Sequence, residues 1–255
     1  MELVGLIPAA GKASRLGKID QSKEILEVDF QGKKQVISKF LIENYKIAGI
    51  QKICFVLRNG KWDIPDYYIN GAKFGINIAY FLAQYPYGVP FTLNEALPFL
   101  KHNYVALGFP DMYVDPPDIF KVLYQKIVQS QADLILGLFP IETRSKWDMV
   151  EFNQNGKIKD IIIKPLKTEL KYGWSVAVWS PVFTEFLEQK VHFLLKENEK
   201  ERIEMEGQLK REIYPGDIFR EFIQAGNKTD YVTFEEGKCI DLGTWEDFNK
   251  FNYGE

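Results

Sequence analysis

LIPAAGKASRLGK, residues Leu6 to Lys18, overlaps the end of a short apolar run, Leu3 to Ile7, and its reading decides the fold. A small-residue turn directly after a buried strand is where α/β folds hold phosphates, because free backbone N–H groups point outward there. A Walker A loop is excluded: five residues separate Gly11 from Gly17, and Ile19 follows Lys18 where a hydroxyl residue is needed to reach the metal. A dinucleotide fingerprint is excluded as well, since Ala13 and Leu16 stand where its second and third glycines belong. The turn reads as a phosphate loop of another class.

Outward from this loop, strand-like runs alternate with helical patterns: a helix near Val36 to Ala48, then Lys52 to Leu57, Ile76 to Phe81, a helix near Thr92 to Leu100, and Tyr104 to Leu107. Such alternation predicts βαβ units in an α/β fold, with a mixed, mostly parallel sheet flanked by helices. Further strands are expected over Leu134 to Leu138 and Asp148 to Phe152, the latter turning through NQNGK into Ile158 to Ile163. From Ser180 to Ala225 the pattern is helical, broken at Pro215-Gly216, and KENEKERIEMEGQLKRE reads as a solvated charge run. With no repeat or linker, residues 1–255 are expected to form one domain.

Composition narrows the function. The net charge of -3, without a block of basic residues, gives no footprint for nucleic acid. No apolar run approaches the roughly 20 residues that span a bilayer. Glu2 leads directly into a strand with no signal-peptide pattern, so the expectation is cytoplasmic, with small-molecule partners. Cys54 and Cys239 lie in strand-like stretches and are expected to be unpaired. The chain has 2 histidines, His102 at the start of a strand and His192 on a helical stretch, both read as structural. Zinc centres and a Ser-His-Asp triad thereby lose their support.

What remains is an ordered set of groups after strand ends. Gly11 allows close approach of a phosphate, Arg15 offers a fork of donors and Lys23 a mobile charge. Asp111 ends GFPD, Lys164-Pro165 follows a strand, and Asp241 opens DLGTW. Each alone reads equally well as a turn, cap or surface residue. Together, two aspartates at strand ends near lysines and an arginine suit a Mg²⁺ site facing an anionic substrate. Phosphoryl transfer fits, since a phosphate nucleophile is already ionised at neutral pH and no histidine base is needed.

This pattern resembles the sugar-phosphate nucleotidyltransferases, the family of glucose-1-phosphate thymidylyl- and uridylyltransferases, over almost the whole chain. IPAAGKASRLGKIDQSKEIL is similar to the family's opening signature, AQYPYGVPFTLNEAL to its base-reading segment, ALGFPDMYVD to its first metal aspartate, MVEFNQNGKIKDIIIKP to its sugar-phosphate lysine, and IDLGTWEDF to its second metal aspartate. The resemblance implies a Rossmann-like nucleotide-diphospho-sugar transferase fold. It also implies an enzyme that condenses a nucleoside triphosphate (dTTP, UTP or CTP) with a sugar 1-phosphate to an NDP-sugar and pyrophosphate. By the same resemblance Ala9, Ala10, Gly11, Lys12, Arg15 and Lys23 hold the nucleotide's phosphates and Gln84 and Gly88 its base. Asp111 and Asp241 hold Mg²⁺, and Lys164, with Asp148, Glu151, Ile163 and Trp174 around it, grips the acceptor. Arg15, Lys23 and Lys164 are the implied catalytic residues, and homo-oligomerisation is compatible with the family.

The departures gather in the acceptor half. Ile163 stands where the family has Glu, Asp148 where it has Gly, another Gly is replaced near Trp174-Ser175, and Lys12 and Ala13 differ in the opening loop. Isoleucine accepts no hydrogen bond, so glucose 1-phosphate is expected not to be the best acceptor unless water or Asp148 replaces the missing bond. A transferase acting on a non-sugar phosphate such as phosphocholine is the alternative, and a nucleotide-binding protein without turnover is a second one. A glycosyltransferase is disfavoured because DMYVD spaces its acids four apart rather than as Asp-x-Asp.

Overall fold

The computed structural model describes residues 1–17, 19–204 and 212–253. In chain order the elements are β1 (Leu3–Ala9), β2 (Glu27–Phe30), β3 (Lys33–Val36), α1 (Lys39–Ile47), β4 (Lys52–Leu57), α2 (Asp63–Tyr68), β5 (Asn77–Leu82), α3 (Val89–Asn94), β6 (Tyr104–Leu107) and β7 (Met112–Asp115). There follow α4 (Ile119–Ser130), β8 (Leu134–Pro140), β9 (Met149–Phe152), β10 (Ile158–Ile162), β11 (Tyr172–Trp179), α5 (Pro181–Glu204), α6 (Pro215–Gln224), β12 (Thr229–Thr233), β13 (Lys238–Asp241) and α7 (Trp245–Tyr253).

The central sheet runs β10-β9-β11-β6-β1-β4-β5, with β8 joined to β11 and β12 to β8. Strands β6, β1, β4 and β5 are mutually parallel, so the loops after β1 and β4 leave the same edge. Leu3 to Ala9 is buried almost throughout, as expected of a strand covered on both faces. Successive residues of β1 point to opposite sides: Leu3 and Ile7 pack with α1, α2 and α4, whereas Val4 and Leu6 pack with α3, α5 and α6. A third apolar cluster joins Leu16 of the opening loop to Leu26, Val28, Leu242 and Phe248. It fastens the loop to α7.

The α/β architecture matches the expectation, with corrections of detail. Asp241 does not end a strand of the parallel sheet; β13 pairs antiparallel with β7 in a separate two-stranded ladder. The helix expected near Thr92 to Leu100 is α3 plus a 3₁₀ turn at Leu97–Phe99, each carrying proline in its first turn. The β2–β3 hairpin was not foreseen, because its two-residue turn is Gln31-Gly32, with φ of 53° and 73°, rather than the usual Asn-Gly. Of the charge run, residues 205–211 lie outside the described residues, as does Lys18. The NQNGK hairpin is present, with the Asn153 side chain accepting from the backbone N–H groups of Asn155 and Lys157.

Candidate functional site

The parallel edge opens into a cleft of about 530 Å³ bordered by Ala10, Gly11, Arg15, Lys23, Asp111, Asp148, Lys164, Trp174 and Asp241. Residues from both ends of the chain and from its middle therefore meet in one place. Two structural devices achieve this. The β7–β13 ladder sets Asp241 opposite Met112, and the Leu242 N–H donates to the Asp111 carbonyl at 2.8 Å, which brings the two aspartates alongside each other. The opening loop is then tied down by the Trp245 indole, which donates to the Leu16 carbonyl at 2.8 Å.

Each aspartate is paired with a cation of the opening loop. Lys23 is hydrogen-bonded to Asp111 with both side chains nearly buried. Burial drives the Asp111 carboxyl upward, but the charge and hydrogen bond of Lys23, with a backbone hydrogen bond and Arg15, together outweigh it and hold the group below its ordinary range. Burial likewise opposes the Lys23 ammonium, yet Asp111 and Glu24 together leave it raised. Arg15 lies 2.8 Å from Asp241, whose other oxygen accepts from the Gly243 N–H at 2.8 Å. A Cβ at Gly243 would stand 2.5 Å from the Arg15 guanidinium and 2.8 Å from Asp241, so glycine is what lets the pair lie against this turn. The Arg15 guanidinium is half exposed, so this pair is the weaker of the two.

The other half of the cleft is built differently. Lys164 takes a φ of 39°, and its ammonium sits 3.7 Å from the centroid of the Tyr214 ring. A left-handed backbone at a non-glycine residue costs on the order of 1–3 kcal/mol and concentrates at functional sites. Asp148 is buried, and burial, helped by Asp217, pushes its carboxyl up to about 6 despite the nearby Lys164. Its Oδ1, the Trp174 Nε1 and the Ser175 Oγ are buried without a well-formed hydrogen bond, Trp174 lying near the Asp148 carboxyl and Ser175 near the Cys239 thiol. A bulge in β11 between Trp174 and Val176 turns both Trp174 and Ser175 toward the cleft.

Several sequence-predicted residues stand elsewhere. Ala9 is buried in β1, and Lys12 borders a second cavity of about 230 Å³ that shares Lys23 with the cleft. Gln84 donates its backbone N–H to Glu95 at 3.3 Å, and Gly88 packs against the Ile213 carbonyl. It is Val89 and Thr92, just beyond them, that reach the cleft. Glu151 pairs with Lys159 at 2.7 Å, and Ile163 packs beside the Asp148 carboxylate against Gly216. Sequence reading missed Trp147 and Tyr214 and met Ser175 only as a departure beside Trp174; all three line the cleft near Lys164. The signal for Trp147 and Ser175 was adjacency to Asp148 and Trp174, whereas Tyr214 had only the Pro215-Gly216 helix break beside it.

The sequence model described as nucleotidyl transferase matches residues 4–254. The chain belongs to the nucleotidyl transferase family. Among solved structures it is similar to a protein assigned as a glucose-1-phosphate thymidylyltransferase from Bacillus anthracis, in complex with sucrose. The identity is 17%, the TM-score 0.79, and the match covers 98% of this chain and 94% of that one. A UDP-glucose pyrophosphorylase complexed with UDP-glucose is 18% identical, with a TM-score of 0.79 and 100% and 98% of the two chains covered. A UTP-bound UGPase from Acinetobacter baumannii is 14% identical, with a TM-score of 0.75 and 100% and 93% covered. At these identities the likeness establishes the fold of this nucleotidyl transferase. Its substrates have to be argued from the cleft.

Among the described residues no cluster of three or more His, Cys, Asp or Glu could cage a metal ion. The pair Asp111 and Asp241 nevertheless suits Mg²⁺, which takes one or two carboxylates and completes its shell with water and substrate phosphate oxygens. Both carboxylates feel both loop cations, which marks a place where concentrated negative charge is balanced locally.

Proposed function

We propose that this enzyme transfers a nucleotidyl group from a nucleoside triphosphate to a phosphorylated acceptor, a sugar 1-phosphate, releasing pyrophosphate. The observation that carries the reading is the side-by-side placement of Asp111 and Asp241, each neutralised by a cation of the opening loop. An acceptor phosphate oxygen attacks the α-phosphorus, the bond from that phosphorus to the α,β-bridging oxygen breaks, and pyrophosphate leaves with the electron pair. The nucleophile carries no proton to remove, which suits a cleft without histidine among its lining residues.

The backbone of Ala10 and Gly11, with Arg15 and Lys23, binds the triphosphate, and Lys12 extends that positive edge. Val89 and Thr92, at the end of the segment that begins at Gln84 and Gly88, border the base, which is dTTP's, UTP's or CTP's. Lys164 leaves Tyr214 to hold the acceptor phosphate, suppressing repulsion between two anions that must approach in line. Asp111 and Asp241 would hold Mg²⁺. That ion, when bound, would neutralise charge building on the α-phosphate and leaving group. Among the described residues no helix is long and apolar enough to cross a membrane, and a triphosphate substrate supports a cytoplasmic setting.

One observation favours a second acceptor class, a phosphorylated amino alcohol such as phosphocholine. The Tyr214 ring already faces an ammonium, with the Asp148 carboxylate and the Trp147 and Trp174 rings lining the same cleft. Incubation with Mg²⁺, each triphosphate and a panel of phosphorylated acceptors, followed by pyrophosphate release, separates these readings. Release that needs both substrates and stops with EDTA is expected. Tight triphosphate binding without turnover on any acceptor would make this a binding protein instead.

A further inference from the structure

Lys23 is flanked by two residues that are gripped from a different part of the chain. On one side the backbone N–H and hydroxyl of Ser22 donate to the two oxygens of Asp63 at 2.6 and 2.7 Å. On the other side Lys61 donates to both oxygens of Glu24 at 2.6 and 2.7 Å, and the pair is 4% and 1% exposed. Neither Lys61 nor Asp63 borders the cleft, although Lys23 and Glu24 do.

A buried ion pair of this kind contributes little net stability, because desolvation of two charges offsets their attraction. Its cost shows in the groups themselves: burial raises the Glu24 carboxyl and lowers the Lys61 ammonium, each against the pull of its partner. What the pair does achieve is a division of charge. Lys23 lies within the field of three carboxylates, Asp111, Glu24 and more weakly Asp241, and of one other cation, Lys61. With Lys61 saturating both oxygens of Glu24, Lys23 is left to Asp111. Without it, a buried and unbalanced Glu24 would compete with Asp111 for the same ammonium.

We infer that Lys61 is a positioning residue: by occupying Glu24 it keeps the Lys23 ammonium on the Asp111 side, in the cleft where the triphosphate enters. This rests on the function proposed above, and it names a residue that the opening signature does not contain.

The test compares Lys61→Met, Lys61→Gln, Lys61→Arg and the double variant Lys61→Met with Glu24→Gln. Lys61→Met should lower kcat by about tenfold to a hundredfold, the scale that a misplacement of about 1 Å costs, with a smaller change in acceptor KM. Lys61→Gln, whose amide still donates to Glu24 but carries no charge, should behave alike and keeps the test open should the methionine variant not fold. Lys61→Arg and the double variant should recover most of the lost kcat, because one restores the charge and the other removes the competing carboxylate. A crystal structure of Lys61→Gln should show the Lys23 ammonium hydrogen-bonded to Glu24. If that ammonium stays on Asp111 alone, or if the double variant is as slow as Lys61→Met, Lys61 is a structural residue only. Should the wild type release no pyrophosphate with any substrate pair, the proposed function fails, and the crystal structure still decides the positioning.

Discussion

The two halves of the cleft solve opposite problems. On the triphosphate side Lys23, Asp111, Arg15 and Asp241 are each engaged by a named partner before any ligand arrives. On the Lys164 side, the proposed acceptor side, Asp148, Trp174 and Ser175 keep buried polar atoms without a well-formed hydrogen bond. Buried polar groups are almost always hydrogen-bonded, so a cluster of exceptions marks capacity kept for a ligand. Under the proposed function, the saturated half would suit any triphosphate, whereas the unsaturated half would penalise an acceptor that fails to match it.

The sharpest way to break this contrast is at the carboxylates. Asp111→Asn and Asp241→Asn should each cut turnover by about two to four orders of magnitude, since several kcal/mol of charge stabilisation would be lost. Pyrophosphate release at limiting Mg²⁺ reads the effect, and near-wild-type rates in either variant would remove the paired-aspartate assignment.

Next come the lysines, which should divide by substrate. Lys23→Ala should weaken triphosphate binding or turnover, whereas Lys164→Ala should raise acceptor KM and lower kcat/KM about a hundredfold, leaving triphosphate affinity in calorimetry near normal. Loss of triphosphate binding in Lys164→Ala with unchanged acceptor dependence would merge the two halves.

A smaller effect is expected at Asp148. Its carboxylate and Ile163 both close on Gly216, and it is Asp148, not Ile163, that borders the cleft and can meet an acceptor hydroxyl there. Asp148→Asn should shift relative kcat/KM across an acceptor panel, glucose 1-phosphate included, by about tenfold, corresponding to roughly 1–2 kcal/mol for one hydrogen bond to a charged group. Because the folded carboxyl titrates near 6 and the unfolded one near 3.8, the folded state gains from protonation. Stability from this group is full below the lower value and lost as pH rises through the upper one. Urea titrations of wild type and Asp148→Asn between pH 4 and 7 should show that loss in the wild type alone.

The smallest effect concerns the loop backbone. Ala13 has a φ of 53°, a left-handed conformation that glycine adopts freely. Ala13→Gly should change stability by no more than about 1 kcal/mol, because relief of strain and greater freedom of the unfolded chain oppose each other. A denaturant midpoint that falls by more than this would show that the Ala13 methyl packs usefully.

Where sequence carried the information, local chemistry was sufficient. Lys52–Leu57 and Tyr104–Leu107 were legible because apolar runs of that length between turn signals have few other uses. The aspartates and loop cations were legible as motif residues, but not their pairing. The β7–β13 ladder joins Met112 to Asp241 across more than half of the chain, and no local pattern announces such a contact. The same holds for Lys61, whose sequence context, RNGKW, reads as an exposed turn although its ammonium is buried. Strand β11 was missed because it is buried on both faces and so shows no alternation, and small residues, Gly173, Ser175 and Ala177, interrupt its apolar run.

The Trp245 bond to Leu16 and the Arg15 bond to Asp241 also set an order of events during synthesis. A nascent chain that has emerged only as far as β12 already carries its opening loop, yet lacks the second aspartate, the glycine turn beneath Arg15 and the indole that fastens the loop. The cleft is therefore complete only once β13 and α7 have left the exit tunnel.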